Sequence, residues 1–277
     1  MKILNDYIVI EKIKGADIYL TPLQTDAYQR AKVVHTNEES LTKVGDTLLL
    51  GDAIFFDRAR CFDEEYYFIY ESQVFGIIRE GKIIPMNNIV YIKTDKYRNE
   101  TKGDDDFKLY NDISYNPLNI GNVVQDGEVL SVCKKANDSY FDRPLEIEIA
   151  PGDKVYAHHF LTDEGAERIF NGETYYEMIY ENIYCKIVQG KIVMVNDWNF
   201  ITPIPDDEAN ERDGIILTTE KVKVAQTGVV EVANKNLGVK VGAKILFKRN
   251  RDYEMIVEGK VYYRIKNDDI FYELWLK

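Results

Sequence analysis

The side chains in this chain that could do chemistry are few and poorly grouped. His158 and His159 adjoin like a pair of metal-ligating imidazoles, but neighbouring residues of a strand point to opposite faces, so they read as a solvated pair on a hairpin. The acidic runs Asp104–Asp106 and Asp206–Glu208 offer carboxylates to a hard cation, yet neither has the glycine and spaced oxygen ligands of a calcium loop. They read as solvated loop charge. Cys61 follows Arg58 and Arg60, whose charges would favour a thiolate, but no histidine is tied to it and it reads as a bystander thiol. Adjacent tyrosines such as Tyr66-Tyr67 could stack a sugar or a base, although strand core plus rim is the simpler reading. Neither G-x-x-x-x-G-K-[ST] nor G-x-G-x-x-G occurs, so nothing cradles a nucleotide phosphate. The expectation is a protein that is not an enzyme, with no catalytic residues, no cofactor and no metal.

The elements around these residues are strands. Among 277 residues, 20 Tyr and 12 Phe sit mostly in short runs with Ile and Val, which is strand composition. The length suits two or three domains of about 100–200 residues each. A formal charge of −12 opposes nucleic-acid binding, which is driven by counterion release from Lys and Arg contacts. No apolar run approaches the ~20 residues that span a bilayer, so no membrane is expected. The amino-terminal MKILNDYIVIEKI alternates apolar and polar residues, as a first strand does and a signal peptide does not. Cys61, Cys133 and Cys185 are odd in number and far apart, which gives neither a disulfide framework nor a metal spacing. A reducing, cytoplasmic setting follows, in which the sequons at Asn99 and Asn137 carry no meaning.

One pattern is written three times. EEYYFIYESQVFGII from Glu64, ETYYEMIYENIYCKIV from Glu173 and KVYYRIKNDDIFYEL from Lys260 each place a tyrosine pair ahead of a β-branched residue and an aromatic: Val74-Phe75, Ile183-Tyr184, Ile270-Phe271. Upstream of each stands a glycine turn entering an apolar strand, VGDTLLL at Val44, PGDKVYA at Pro151 and VGAKILF at Val241. The joints repeat as well, IIREGKIIPMNN from Ile77 and IVQGKIVMVND from Ile187, and their second halves resemble ILNDYIVI at the amino terminus. Internal repetition of this kind marks tandem units. Boundaries are expected near Glu80–Lys82 and Gln189–Lys191, giving domains 1–81, 82–190 and 191–277. Short period-two segments between turn signals predict small β-barrels or sandwiches. LTDEGAERIFNGE in the second unit could form a turn of helix but fits a hairpin insertion better. The fold class is all-β.

In this order the motifs resemble the GroES-type co-chaperonin (chaperonin-10) family. Its members run from a PLxDRVIV-like strand through a flexible loop with a GGIVL-like tripeptide to GEVxAVG, VGDxVxF and EEYLIMxExDILAII-like segments. The first unit reads ILNDYIVI, GADIYLT, RAKVV, KVGDTLLL and EEYYFIYESQVFGII. The third reads VNDWNFIT, DGIILT, TGVVEVA, KVGAKILF and KVYYRIKNDDIFYEL. The second keeps PMNNIVYI, DGEVLSV, PGDKVYA and ETYYEMIYENIYCKIV, but its loop is longer, carries GDDDF at Gly103–Phe107 and lacks a clear tripeptide. The resemblance implies three tandem GroES-like barrels.

It also implies a role for an otherwise odd greasy triplet. In such a family the loop tripeptide docks into an apolar groove of a GroEL-type chaperonin ring, which supplies the ATP. Ile215, Ile216 and Leu217 would be the docking residues of the third unit, and Ile18, Tyr19 and Leu20 those of the first. Each buried apolar side chain contributes roughly 1.5–3 kcal/mol, offset by about 1–2 kcal/mol for each residue ordered. An apolar triplet of period two is equally the signature of an internal strand, so both readings stand at this stage. So do two functions. A homo-oligomeric co-chaperonin-like cap is the first. The second is a structural, capsid- or tail-associated component of a phage virion built from the same barrels, because three units per chain do not divide the family's ring of seven.

Overall fold

The computed structural model describes residues 6–13, 28–51, 60–61, 66–95, 101–102, 108–109, 124–138, 143–162, 166–170, 173–204, 211–212, 215–216 and 226–274. They are all-β, with three single-turn 3₁₀ segments. The strands form three principal sheets of one recurring order. In the first the sequence of neighbours is Arg60–Cys61, Tyr66–Tyr70, Tyr7–Lys12, Tyr28–His35, Thr47–Gly51, Val74–Arg79 and Lys82–Pro85. In the second it is Glu167–Phe170, Glu173–Ile179, Ile89–Lys93, Asp126–Val132, Lys154–Ala157, Ile183–Val188 and Lys191–Met194. The third runs Tyr253–Val257, Lys260–Lys266, Trp198–Ile204, Thr227–Val232, Lys244–Phe247 and Ile270–Leu274, one strand fewer. LTDEGAERIFNGE holds Glu167–Phe170, which pairs with Glu173–Ile179 as the expected hairpin.

Equivalence extends to irregularities that strand order alone does not require. Each first strand meets its second strand across a bulge on the second strand, with Val34, Leu130 and Glu231 as the extra residues opposite Val9/Ile10, Tyr91/Ile92 and Phe200/Ile201. Each third strand meets its last across another, leaving Phe75, Tyr184 and Phe271 as the extra residues. The 3₁₀ turns Glu71–Gln73, Tyr180–Asn182 and Asn267–Asp269 precede the last strands. The N–H groups of Glu71, Tyr180 and Asn267 donate to the carbonyls of Asp6, Asn88 and Asp197 at 2.9, 2.6 and 2.9 Å. Gly45, Gly152 and Gly242 adopt φ of +92°, +91° and +88°, a region closed to most side chains, and donate to the carbonyls of Val33, Val129 and Val230.

Period two decides what is inside. Ile8 and Ile10, Leu48 and Leu50, and Ile69 fill the first core with Val33, Val74 and Ile77. Ile201, Val230, Ile245, Phe247 and Ile265 fill the third. Val90, Ile92, Val129, Val155, Ala157 and Ile183, on strands of the second sheet, are each fully buried. Two of the three tyrosine pairs divide between core and rim, Tyr176 being buried beside half-buried Tyr175 and Tyr262 beside half-buried Tyr263, while Tyr66 and Tyr67 are both half-buried.

Proximity of Cα atoms groups the chain into two compact units. One comprises Met1–Asp95, Gly127–Gly152 and Phe160–Asn182; the other comprises Lys96–Asp126, Asp153–His159 and Ile183–Lys277. Each unit contains one joint between consecutive repeats. The joints are tight two-residue turns, Glu80-Gly81 (φ 52°, 72°) and Gln189-Gly190 (φ 51°, 75°), whose paired positive φ matches the twist of a hairpin. The strands that follow, Lys82–Pro85 and Lys191–Met194, hydrogen-bond back to the last strand of the repeat before.

Both joints are packed. In the first unit Tyr91 is 1% exposed and fills the space a side chain on Gly76 would take, for a Cβ there would lie 3.1 Å from its hydroxyl and 3.3 Å from Leu49. In the second, Tyr156, Tyr184, Cys185 and Met194 bury themselves against Trp198, Phe200, Met255, Val257 and Tyr262. Tyr91 and Phe200 occupy the same register position, as do Leu49 and Tyr156, and Gly76 and Cys185.

Candidate functional site

Each sheet opens into an excursion at the same place, between its first and second strands. The first leaves after Lys12, which faces Ala31, and Ile13 donates to the Arg30 carbonyl at 3.2 Å. The second leaves after Lys93, opposite Glu128, and the third after Ile204, opposite Thr227. An antiparallel ladder thus holds the two ends of each excursion side by side, so the intervening residues, 205–226 in the third, need not take part in the sheet.

Within the third excursion the backbone of Ile215–Ile216 pairs with Glu211–Arg212, Glu211 facing Ile216 and Arg212 facing Ile215. This two-stranded ladder is separate from the six-stranded sheet. The triplet therefore carries strand geometry at Ile215 and Ile216 without serving as a strand of the main sheet among the described residues. Leu217 lies outside the described residues, as do Ile18, Tyr19 and Leu20. The second excursion holds a comparable ladder, Thr101–Lys102 with Lys108–Leu109, and its acidic Gly103–Phe107 lies outside the described residues. Asp206–Glu208 lies outside them too.

The other candidates for chemistry resolve differently from one another. His158 and His159 follow the strand Lys154–Ala157 and do not point to opposite faces, because the chain has already turned: their ring centroids lie 3.8 Å apart with the planes tilted by 34°. They are half-buried, not solvated. Burial, the neighbouring imidazole and Arg264 pull His158 down to about 3, and burial with Arg264 pulls His159 down to about 4, so both are neutral at pH 7. Among the described residues no three His, Cys, Asp or Glu side chains converge as a metal site. Cys133 and Cys185 are buried, and desolvation pushes the Cys133 thiol up to about 11 and Cys185 higher still, which leaves both unreactive. Cys61 joins the edge strand beside Tyr67.

The joint chemistry had no motif to announce it. Arg264 is 7% exposed and its guanidinium lies 4.4 Å from the Tyr184 ring, 5.0 Å from Trp198 and 4.7 Å from Tyr253. A weakly hydrated planar cation can be buried this way against aromatic faces. Nearby, Tyr156 donates to Glu258 Oε1 at 3.0 Å and accepts its N–H at 3.1 Å, while Lys154 Nζ reaches the same carboxylate at 2.5 Å. Tyr156 and Tyr184 belong to the second repeat of the sequence, Trp198 and Arg264 to the third. Only their alternation with core residues signalled a second apolar face on those strands.

Residues 191–273 match the family model of the chaperonin 10 kDa subunit, Cpn10. No curated protein matches the chain. The matched stretch begins at Lys191, so the joint strand Lys191–Met194 counts with the repeat that follows it while pairing with the repeat before. The match supports a GroES-type domain in the third repeat.

Proposed function

We propose that this chain is a co-chaperonin-like, non-enzymatic protein of three tandem GroES-like barrels, acting in the cytoplasm by binding a GroEL-type chaperonin ring to assist protein folding. The observation that carries the reading is the Cpn10 match over 191–273, which contains the third excursion, where Ile215 and Ile216 of the triplet pair apart from the main sheet. Repetition of strand order and bulge positions supports extending the barrel reading to the first two repeats. In this reading Ile215, Ile216 and Leu217 dock into an apolar groove of the ring, Ile18, Tyr19 and Leu20 do so from the first repeat, and the middle repeat acts as a spacer.

The test is capture of the chain on an immobilised GroEL-type ring with ATP, with ADP and without nucleotide. Nucleotide-dependent capture is expected, and Ile216→Asp with Leu217→Ser should reduce it at least tenfold while the circular dichroism spectrum stays unchanged. Capture indifferent to that double substitution removes the triplet from the role. Three repeats per chain, which fit no seven-fold ring evenly, favour a second reading as a structural component of a phage particle. That reading predicts the chain in purified particles at a symmetric copy number.

A further inference from the structure

The second joint holds a group of polar side chains that neither the barrels nor the docking loops account for. The strand Lys154–Ala157 ends against Ile183–Val188, which brings His158 beside Tyr184, ring centroids 6.5 Å apart, with His159 next to it. The following repeat adds Arg264, whose guanidinium is 4.4 Å from the centroid of the same Tyr184 ring. All four residues lie in one compact unit. Tyr184 is 0% exposed, and its hydroxyl is buried with no hydrogen-bond partner among the described residues. A buried hydroxyl is costly to leave unpaired, so it marks a place where a further acceptor would be welcome. The two histidines are only half-buried, which leaves the group open on their side.

Arg264 reaches the other three by charge. It adds to burial in pulling both imidazoles down, and it works against the upward push of burial on the Tyr184 hydroxyl. Other charged groups on the strands packed here are engaged with one another: Lys154 with Glu258, Lys186 with Asp153 at 3.1 Å, and Glu254 with the Tyr263 hydroxyl at 2.9 Å. Lys266 stands over the Trp198 ring. Among the described residues the balance at the histidines is therefore positive, which opposes a metal ion and favours an anion. A guanidinium laid against aromatic rings keeps its N–H edge for oxygen acceptors, in a fork that fits an oxyanion. Two imidazole N–H groups and the phenol O–H add three more donors.

We propose that His158, His159, Tyr184 and Arg264 form a binding site for a small tetrahedral oxyanion of the sulfate or phosphate kind. Arg264 supplies the charge, the Tyr184 hydroxyl the buried donor, and the histidines the mouth. An anion held here stabilises the imidazolium forms, so binding and protonation promote each other. Affinity rises as pH falls, and the bound anion moves the protonation of both histidines to higher pH. The inference stands on the joint geometry and not on the chaperonin reading, and ring capture is a separate measurement.

The experiment follows the ring signals of the 3 histidines by NMR in the full-length, histidine-labelled chain. Sodium sulfate is the probe, because sulfate keeps both charges throughout the titration, and sodium chloride at equal ionic strength corrects for screening. His35, on a strand of the first sheet, is the internal reference and should respond alike to both salts. Millimolar sulfate should raise the protonation midpoints of His158 and His159 by at least one pH unit relative to chloride, a tenfold preference for the imidazolium form. Tyr184→Phe, which keeps the ring, should weaken sulfate binding at least fivefold, and Arg264→Gln should abolish it. If that second variant does not fold, Arg264→Lys, which keeps the charge and loses the fork, should weaken binding at least tenfold. Inorganic phosphate and a phosphoserine peptide in parallel tell a free ion from a phosphate group carried on a larger molecule, and saturable binding of either agrees with the proposal. Three results overturn it: equal midpoints in sulfate and chloride, sulfate affinity untouched by Tyr184→Phe, or zinc ions that move the two histidines where sulfate does not.

Discussion

A methyl group on Gly127 would lie 2.5 Å from Ile92 Cγ2 and 2.7 Å from the Lys93 carbonyl oxygen, and the second of these is backbone that cannot swing aside. The first repeat has Ala31 at this register position, fully buried, so the requirement for glycine comes from local packing and not from the strand itself. Gly127→Ala should therefore destabilise the chain by about 1–3 kcal/mol, the usual range for overpacking. Thermal unfolding followed by circular dichroism checks it, and a midpoint equal to that of the unmodified chain would contradict the close approach. At this scale the sequence was legible in parts. The turn glycines Gly45, Gly152 and Gly242 could be read from their repeat, since each stands at the same point before an apolar strand. His158 and His159 could not, because alternation of faces applies inside a strand and this strand stops at Ala157.

Joints between repeats behave as shared cores, and the last repeat offers a natural control. Tyr184 and Phe271 are the same bulge residue, one under the next repeat and one exposed. Tyr184→Ala should cost about 3–5 kcal/mol, the range for removing a buried aromatic ring. Phe271→Ala should change stability by less than about 0.5 kcal/mol, as surface substitutions do. Urea unfolding of the two variants side by side tests the contrast, and equal losses would mean that burial at the joint is not what separates the positions. The order of strands was readable because each repeat restates the pattern in three independent wordings. The joint cores were not. A strand buried on both faces loses the clean alternation that makes a half-exposed strand recognisable, and Trp198 and Phe200 sit on the face that a solitary barrel would show to water.

On the scale of the whole chain, the proposed docking function depends on number more than on the strength of any one triplet. In that proposal Ile215, Ile216 and Leu217 offer three side chains for burial, and ordering their loop would consume much of the gain, so one loop alone would hold weakly. Two competent loops on one chain make the second contact intramolecular, and linkage of this kind raises affinity by about 10²–10⁴-fold when the geometry permits both. Silencing the first loop with Ile18→Asp and Leu20→Ser should then weaken ring capture by roughly a hundredfold, although the third triplet is untouched. Silencing the third alone should do at least as much, and silencing both should abolish capture. Dissociation from a ring-coated surface in ADP reads the series directly. If the first-loop variant dissociates as slowly as the unmodified chain, only the third repeat engages the ring.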